Sequence, residues 1–269
     1  MTRMSRTLGG HLDKVVIAVS TGRTGTKAIA HYFDTCYPQV RGLHEPRPSW
    51  RLRIASSRYA SGGLSKEGLK RLLLKCRRSL IESLTEPVYL ESNPSLFGFL
   101  EVVDEVIDKP RIVHIVRDPR TYIRSVINFG SFRGLKGLAV NFCPHWVPKP
   151  EHFDKRPAAR WSRMSPPVRL AWLWTTINSI LDHGRELFGD RYVRLRFEDL
   201  FAAHGPGLRQ LAQWVGLPEN AELVTQAREH PLNASSRQVL PAWQQWDPEL
   251  LERVYAHCGE LMESYGYQR

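Results

Sequence analysis

Residues Val15–Val19 read VVIAV, and Ser20-Thr21-Gly22-Arg23-Thr24-Gly25-Thr26-Lys27 follows without a break. A short, apolar, mostly β-branched run of this kind suits a strand buried on both faces of a parallel sheet. The residues after it are small, hydroxylated or basic, with two glycines. From Lys27 onward Ala28, Ile29, Ala30, Tyr32 and Phe33 resume with helical character. Strand, glycine loop and helix start, in that order, make an anion cradle. The glycines permit the turn and a close backbone approach, while free N–H groups and the helix dipole favour a phosphate-like anion.

The spacing narrows the choice. A nucleotide-triphosphatase loop needs G-x-x-x-x-G-K-[ST], whose last hydroxyl holds Mg²⁺. Here Ser20 stands five residues before Gly25, and Gly25 is followed by Thr26-Lys27 rather than Lys-Thr. On these residues alone, a plain glycine turn entering a helix is the competing reading. The stretch Gly22–Lys27 resembles the loop of the sulfotransferases, Pro-Arg/Lys-Ser-Gly-Thr-Thr. Gly22 takes the place of the proline, Thr24 of the serine and Lys27 of the second threonine. The resemblance implies that the backbone of Gly22, Arg23, Thr24, Gly25, Thr26 and Lys27 holds the 5′-phosphosulfate of 3′-phosphoadenosine 5′-phosphosulfate (PAPS). Arg23 would then stabilise charge on the leaving phosphate oxygen.

A second strand-to-helix junction begins at Arg111 and reads RIVHIVRDPRTYIRSVINF. Ile112–Val116 is an apolar strand, Asp118 is placed to cap the next helix, and Pro119 to open it. Arg117 ends the strand and Ser125 lies eight residues on. A planar guanidinium fork and a hydroxyl at that separation can converge on one anion; an Arg-Asp pair capping an ordinary helix is the alternative. The run resembles the sulfotransferase segment that grips the 3′-phosphate of PAPS. Arg237, in the polar loop Asn233–Arg237, is either a second cation for that phosphate or a surface arginine.

Between the two junctions lies a candidate base. Gln39–Leu43 reads as a second strand, ended by His44-Glu45-Pro46-Arg47, and charged residues at the carboxyl end of a parallel strand stand where open α/β sheets bind ligands. Glu45 is either a general base for an attacking hydroxyl or an exposed acid paired with Arg47. Sulfotransferases that modify tyrosine have a similar Glu-x-Arg after this strand, which makes Glu45 the first candidate and His44 the second. Val88-Tyr89-Leu90-Glu91-Ser92-Asn93-Pro94 is a brief strand stopped by Asn-Pro, with Glu91 a third candidate. It resembles the family's Lys-Thr-Pro segment, but Ser92-Asn93 replaces Lys-Thr, so any lysine role there is lost.

The remaining stretches are mostly regular. Leu64–Leu84 has helical apolar spacing, and its six basic residues read as a solvated face rather than a nucleic-acid site, since no aromatics interleave them. Gly130–Pro167 combines glycines, prolines and scattered aromatics without clear periodicity, and its basic residues outnumber its acids. Its Phe142, Trp146, Phe153 and Trp161 favour a packed lid over a linker, and in the family this region contributes to acceptor recognition. Pro167–Phe188 reads as a Trp-rich core helix, Arg191–Phe197 as a strand, Leu208–Leu217 as a short helix, and Asp247-Pro248-Glu249 as the capped start of a last one.

Composition sets the outer bounds. A chain of 269 residues with 42% hydrophobic content can bury a full core. Its formal charge of +11 favours anionic partners without choosing among them. Cys36, Cys76, Cys143 and Cys258 are far apart and read as free thiols. No secretory apolar core or membrane-length run is present, so a soluble, cytoplasmic protein is expected.

Strands alternating with helices predict an α/β protein: a single domain, residues 1–269, with a central parallel sheet flanked by helices, a flexible start (1–13) and a lid (130–167). The resemblance implies a sulfotransferase moving the sulfuryl group of PAPS to a hydroxyl or amine. Adenosine 3′,5′-bisphosphate (PAP) would be the product and no metal would be required. The acceptor stays open among tyrosyl peptide, carbohydrate, lipid and small phenol; specific nucleic-acid binding and a membrane span are not expected. A P-loop small-molecule kinase using ATP and Mg²⁺, and a non-enzymatic polyanion binder, are the rival readings.

Overall fold

The structure, a computed structural model, describes residues 7–154, 160–202, 206–223, 225 and 238–269. In chain order its main elements are β1 (Lys14–Ser20), α1 (Thr26–Cys36), β2 (Val40–His44), α2 (Ser49–Ala60), α3 (Lys66–Glu82), β3 (Val88–Ser92), α4 (Leu100–Val106), β4 (Arg111–Val116) and α5 (Pro119–Phe129). Then come α6 (Gly134–Phe142), α7 (Pro166–Asp182), α8 (Gly184–Phe188), β5 (Tyr192–Arg196), α9 (Phe197–Leu200), α10 (Pro206–Val215) and a C-terminal helix (Pro248–Ser264). All five strands are parallel, in the order β2-β3-β1-β4-β5.

β1 occupies the centre because its side chains are apolar on both faces. Val15, Ile17 and Val19 enter one core cluster, with α5, α7 and the C-terminal helix. Val16 and Ala18 enter the other, with α1 and α10. The two junctions read from the sequence therefore sit side by side, since β1 pairs with β4 and Ser20 stands opposite Ile115. Both loops leave the carboxyl edge of the sheet, where ligands bind in open α/β folds.

Several expectations change. The start is not flexible throughout: the Leu8 N–H donates to the Val106 carbonyl at 2.7 Å, the Leu8 carbonyl accepts from Asp108 at 2.8 Å, and the side chain is buried. The single helix expected over Pro167–Phe188 breaks at His183-Gly184, where a Cβ on Gly184 would lie 2.7 Å from the Tyr192 ring. α2 carries too little apolar periodicity to be seen in advance, because it packs through small residues, Ala55, Ser56 and Ser57. Within 130–167, α6 is a regular helix; Trp161 is buried and stacks on Phe132 at 6.5 Å, whereas Phe142 and Phe153 are exposed. The four cysteines are free, and no helix among the described residues is long and apolar enough to cross a membrane.

Candidate active site

The loop after β1 takes left-handed backbone at Gly22 (φ 84°), Arg23 (φ 54°) and Gly25 (φ 73°). Its first turn is fixed from within: the Gly22 N–H donates to Ser20 Oγ at 3.0 Å, and Thr24 Oγ1 donates to the same oxygen at 2.8 Å. Gly25 is the N-cap of α1 and supplies no side-chain acceptor, and no acid stands in the first turn. The N–H groups that open this helix are thus left for an anion.

Opposite the loop, Arg117 leaves β4 and reaches back across the junction. Its NH1 donates to the Arg23 carbonyl at 2.6 Å, its Nε donates to Thr121 Oγ1 at 3.0 Å, and the guanidinium lies 4.2 Å over the Phe197 ring. Arg23 returns the contact by donating from Nε to Ser125 Oγ at 3.2 Å. Loop and clamp, about a hundred residues apart in sequence, are therefore hydrogen-bonded to each other in both directions. Burial lowers the Arg117 pKa to about 10, with Glu198 opposing the shift, so the group stays charged at neutral pH. Ser125 Oγ accepts from Arg23 and keeps its own hydrogen to donate.

The candidate bases separate cleanly. Glu45 (φ 45°) follows β2 and pairs with Arg53 NH2 at 3.3 Å, not with Arg47. Arg53 comes from α2, which is why the pairing was invisible in the sequence. His44 Nδ1 lies 3.0 Å from the Ser92 carbonyl. Burial holds its imidazole below the ordinary value, against the pull of Glu45 and the Ser92 carbonyl. A neutral ring that donates from Nδ1 keeps Nε2 as an acceptor. Glu91 is eliminated: it is buried, with Arg77 Nε and NH2 at 2.7 and 2.5 Å, the Tyr89 hydroxyl at 2.9 Å and Asn93 Nδ2 at 2.7 Å. Four donors leave its oxygens no room to take a substrate proton. Arg77, expected on a solvated face, is wholly buried for the same reason.

These groups line one cleft of about 850 Å³, which Gly22, Arg23, Gly25, Thr26, Lys27, His44, Glu45, Arg117 and Ser125 all reach. Thr24 does not line it, its hydroxyl being turned onto Ser20. Arg237 lies outside the described residues; its neighbour Gln238 lines the cleft, and the adjoining Val239 and Leu240 N–H groups donate to Asn128 Oδ1 at 2.9 and 2.8 Å. Arg53, Arg124 and Lys136 also reach the cleft, and none was singled out from the sequence. Lys136 comes in on α6, with its ammonium 4.6 Å over the same Phe129 ring that Arg23 covers at 4.2 Å. The nearest sequence signal was the excess of basic residues in 130–167. Among the described lining residues, six cations face a single carboxylate, Glu45.

A parallel sheet with a glycine-loop cradle at its carboxyl edge, opening on a cation-lined cleft, defines an anion-binding α/β protein of the P-loop kind. Within that class the chain belongs to the sulfotransferase family, whose model, described as "Sulfotransferase family", matches residues 16–221. Solved structures share the fold. The sulfotransferase domain from the curacin biosynthetic pathway aligns at TM-score 0.56 and 14% identity, over 96% of this chain and 99% of its own. The sulfotransferase domain of the Synechococcus PCC 7002 olefin synthase does so at 0.52 and 16%, over 98% and 99%. A sulfotransferase from Alicyclobacillus acidocaldarius aligns at 0.50 and 13%, over 91% of each chain. No curated protein sequence matches the chain.

Proposed function

We propose that the protein transfers a sulfuryl group from PAPS to an acceptor hydroxyl by in-line displacement. The observation that carries this reading is the charge pattern of the cleft: among the described lining residues, six cations share it with an uncapped helix start and a single carboxylate, which pairs with Arg53. Such a lining suits a donor bearing anionic groups on both the 3′ and 5′ positions of its ribose, and the open space at Gly22, where a Cβ would meet nothing closer than 3.9 Å, leaves room for close backbone approach. PAPS, when bound, supplies the activated sulfur–oxygen bond.

The N–H groups of Gly22–Lys27 hold the 5′-phosphosulfate, and Arg23 neutralises charge that develops on the leaving phosphate oxygen. Arg117 and Ser125, with Arg237, bind the 3′-phosphate. Lys27 adds a second cation beside the cradle, as its place on the cleft wall allows. Glu45 accepts the acceptor's proton and Arg53 fixes its direction. Cations of the protein do the work that Mg²⁺ does in phosphoryl transfer, and Ala28, which follows Lys27, offers no hydroxyl to a metal.

Isothermal titration tests the reading. PAP should bind without added metal, and Arg117→Ala should abolish that binding while the circular dichroism and melting transition remain. Mg²⁺-dependent ATP binding with none for PAP would refute it.

A further inference from the structure

Among the described residues four arginines line the cleft, and the protein itself holds three of them. Arg23 donates to Ser125 Oγ, and Arg53 donates to Glu45 and to Ser95 Oγ, at 3.3 Å each. Arg117 commits Nε to Thr121 and NH1 to the Arg23 carbonyl. Arg124 differs: its Nε is buried without a hydrogen-bond partner, and the cleft's one described carboxylate, Glu45, is already paired with Arg53. A buried guanidinium nitrogen with no acceptor costs free energy, and here the acceptor has to arrive with a ligand.

The helix places that acceptor. Thr121, Arg124, Ser125 and Asn128 recur at three- and four-residue spacing on α5, and all four reach the cleft. Thr121 holds Arg117 at one end of this row, and Asn128 accepts from the Val239 and Leu240 N–H groups at the other. Arg124 therefore stands between the Arg117 clamp and residues 238–240. Glu45 follows β2, whereas α5 follows β4, three positions away in the sheet. The row belongs to the donor's end of the cleft.

We propose that Arg124 binds the 3′-phosphate of the donor beside Arg117 and Ser125, and that it sets the preference for a 3′-phosphorylated nucleotide. The proposal rests on the sulfuryl-transfer reading above. A phosphate monoester presents three strong acceptor oxygens and close to two negative charges. Arg117 has two of its three nitrogens engaged within the protein, so it cannot satisfy such a group alone. Arg124 brings a planar fork of donors that the protein leaves uncommitted. Its charge finds a counter-charge only when the nucleotide is bound, so binding depends on Arg124 while the free fold does not.

The test is calorimetric titration of the wild type, Arg124→Met and Arg124→Lys with PAP and with adenosine 5′-monophosphate, which lacks the 3′-phosphate. Arg124→Met should weaken PAP binding roughly 10–100-fold and leave the monophosphate unchanged. Arg124→Lys keeps the charge without the fork and should fall between wild type and Arg124→Met. The melting temperature of free Arg124→Met should not fall, since the change strands no partner, whereas the rise that PAP gives should shrink. Equal PAP affinity in wild type and Arg124→Met overturns the proposal and leaves the guanidinium to an anionic group of the acceptor. Equal losses for both nucleotides, with a lowered melting temperature, mark a structural role and overturn it too. Both results leave the donor reading standing. A wild type that fails to bind PAP removes that reading and this proposal together.

Discussion

At Gly25 a single methyl group would be intolerable: a Cβ there would lie 2.3 Å from Phe201 Cε2, and φ is 73°. Gly25→Ala should destabilise the protein by roughly 1–3 kcal/mol and weaken PAP binding, which urea denaturation and titration measure separately. Glu45 carries a different prediction, because it makes one ion pair and touches the cleft. Glu45→Gln keeps the shape and removes the proposed base. It should lower kcat by about 10²–10⁴-fold at unchanged PAP affinity, with a smaller loss for His44→Asn. His114 tests linkage rather than chemistry. It is fully buried in β4, 2.7 Å from the Tyr192 hydroxyl and 2.9 Å from Asn178 Oδ1, and burial lowers its pKa to about 4. The folded state therefore binds fewer protons at this site than the unfolded one. Its stabilising contribution is complete above about pH 6.5 and is lost as pH falls toward 4, by about 3 kcal/mol in all. His114→Gln should flatten that part of the stability profile, seen in urea midpoints at pH 7 and 4.5.

Among the elements, α3 shows most plainly what periodicity can and cannot say. Its apolar positions were legible, and Leu69 and Leu73 are fully buried. Its arginines looked alike in sequence, yet Arg77 alone turns inward to meet Glu91 on the inner strand β3. Burial works against the Arg77 charge, but Glu91 outweighs it and raises the pKa overall. Arg77→Met would strand Glu91, at a cost of about 3–5 kcal/mol. Adding Glu91→Gln should restore much of that loss, because a neutral amide replaces the stranded charge; denaturant midpoints of both variants check this. α6 is the converse case. Its outward Leu135 and Phe142 blur any amphipathic pattern, so a regular helix bearing Lys136 and Val140 into the cleft read only as an irregular basic stretch.

Over the whole molecule, the formal charge of +11 says that anions are favoured without saying where. The fold concentrates that preference by bringing cations from β1–α1, α2, α5 and α6, and from the end of β4, to one edge of the sheet. PAP affinity should accordingly fall roughly tenfold or more between about 50 and 500 mM NaCl, measurable by titration across the series. Binding spread over the outer basic surface would survive Arg117→Ala; binding in the cleft would not.

The sequence by itself determined the parallel sheet, the two strand-to-helix junctions and the resemblance they carry. Each of those signals is local: apolar runs, glycines and capping residues act within a few positions of one another. The tertiary structure decided which acid reaches the cleft, because Arg77, Tyr89 and Asn93 enclose Glu91 within the fold while Glu45 stays on the cleft wall. It also decided the partner of Glu45 and the entry of Lys136, since both depend on side chains from separate elements meeting in space. The opening loop is the place where the two levels join. Its glycines were legible at once, but only the fold shows Arg23 bonded to Ser125 and Arg117 bonded back to the loop.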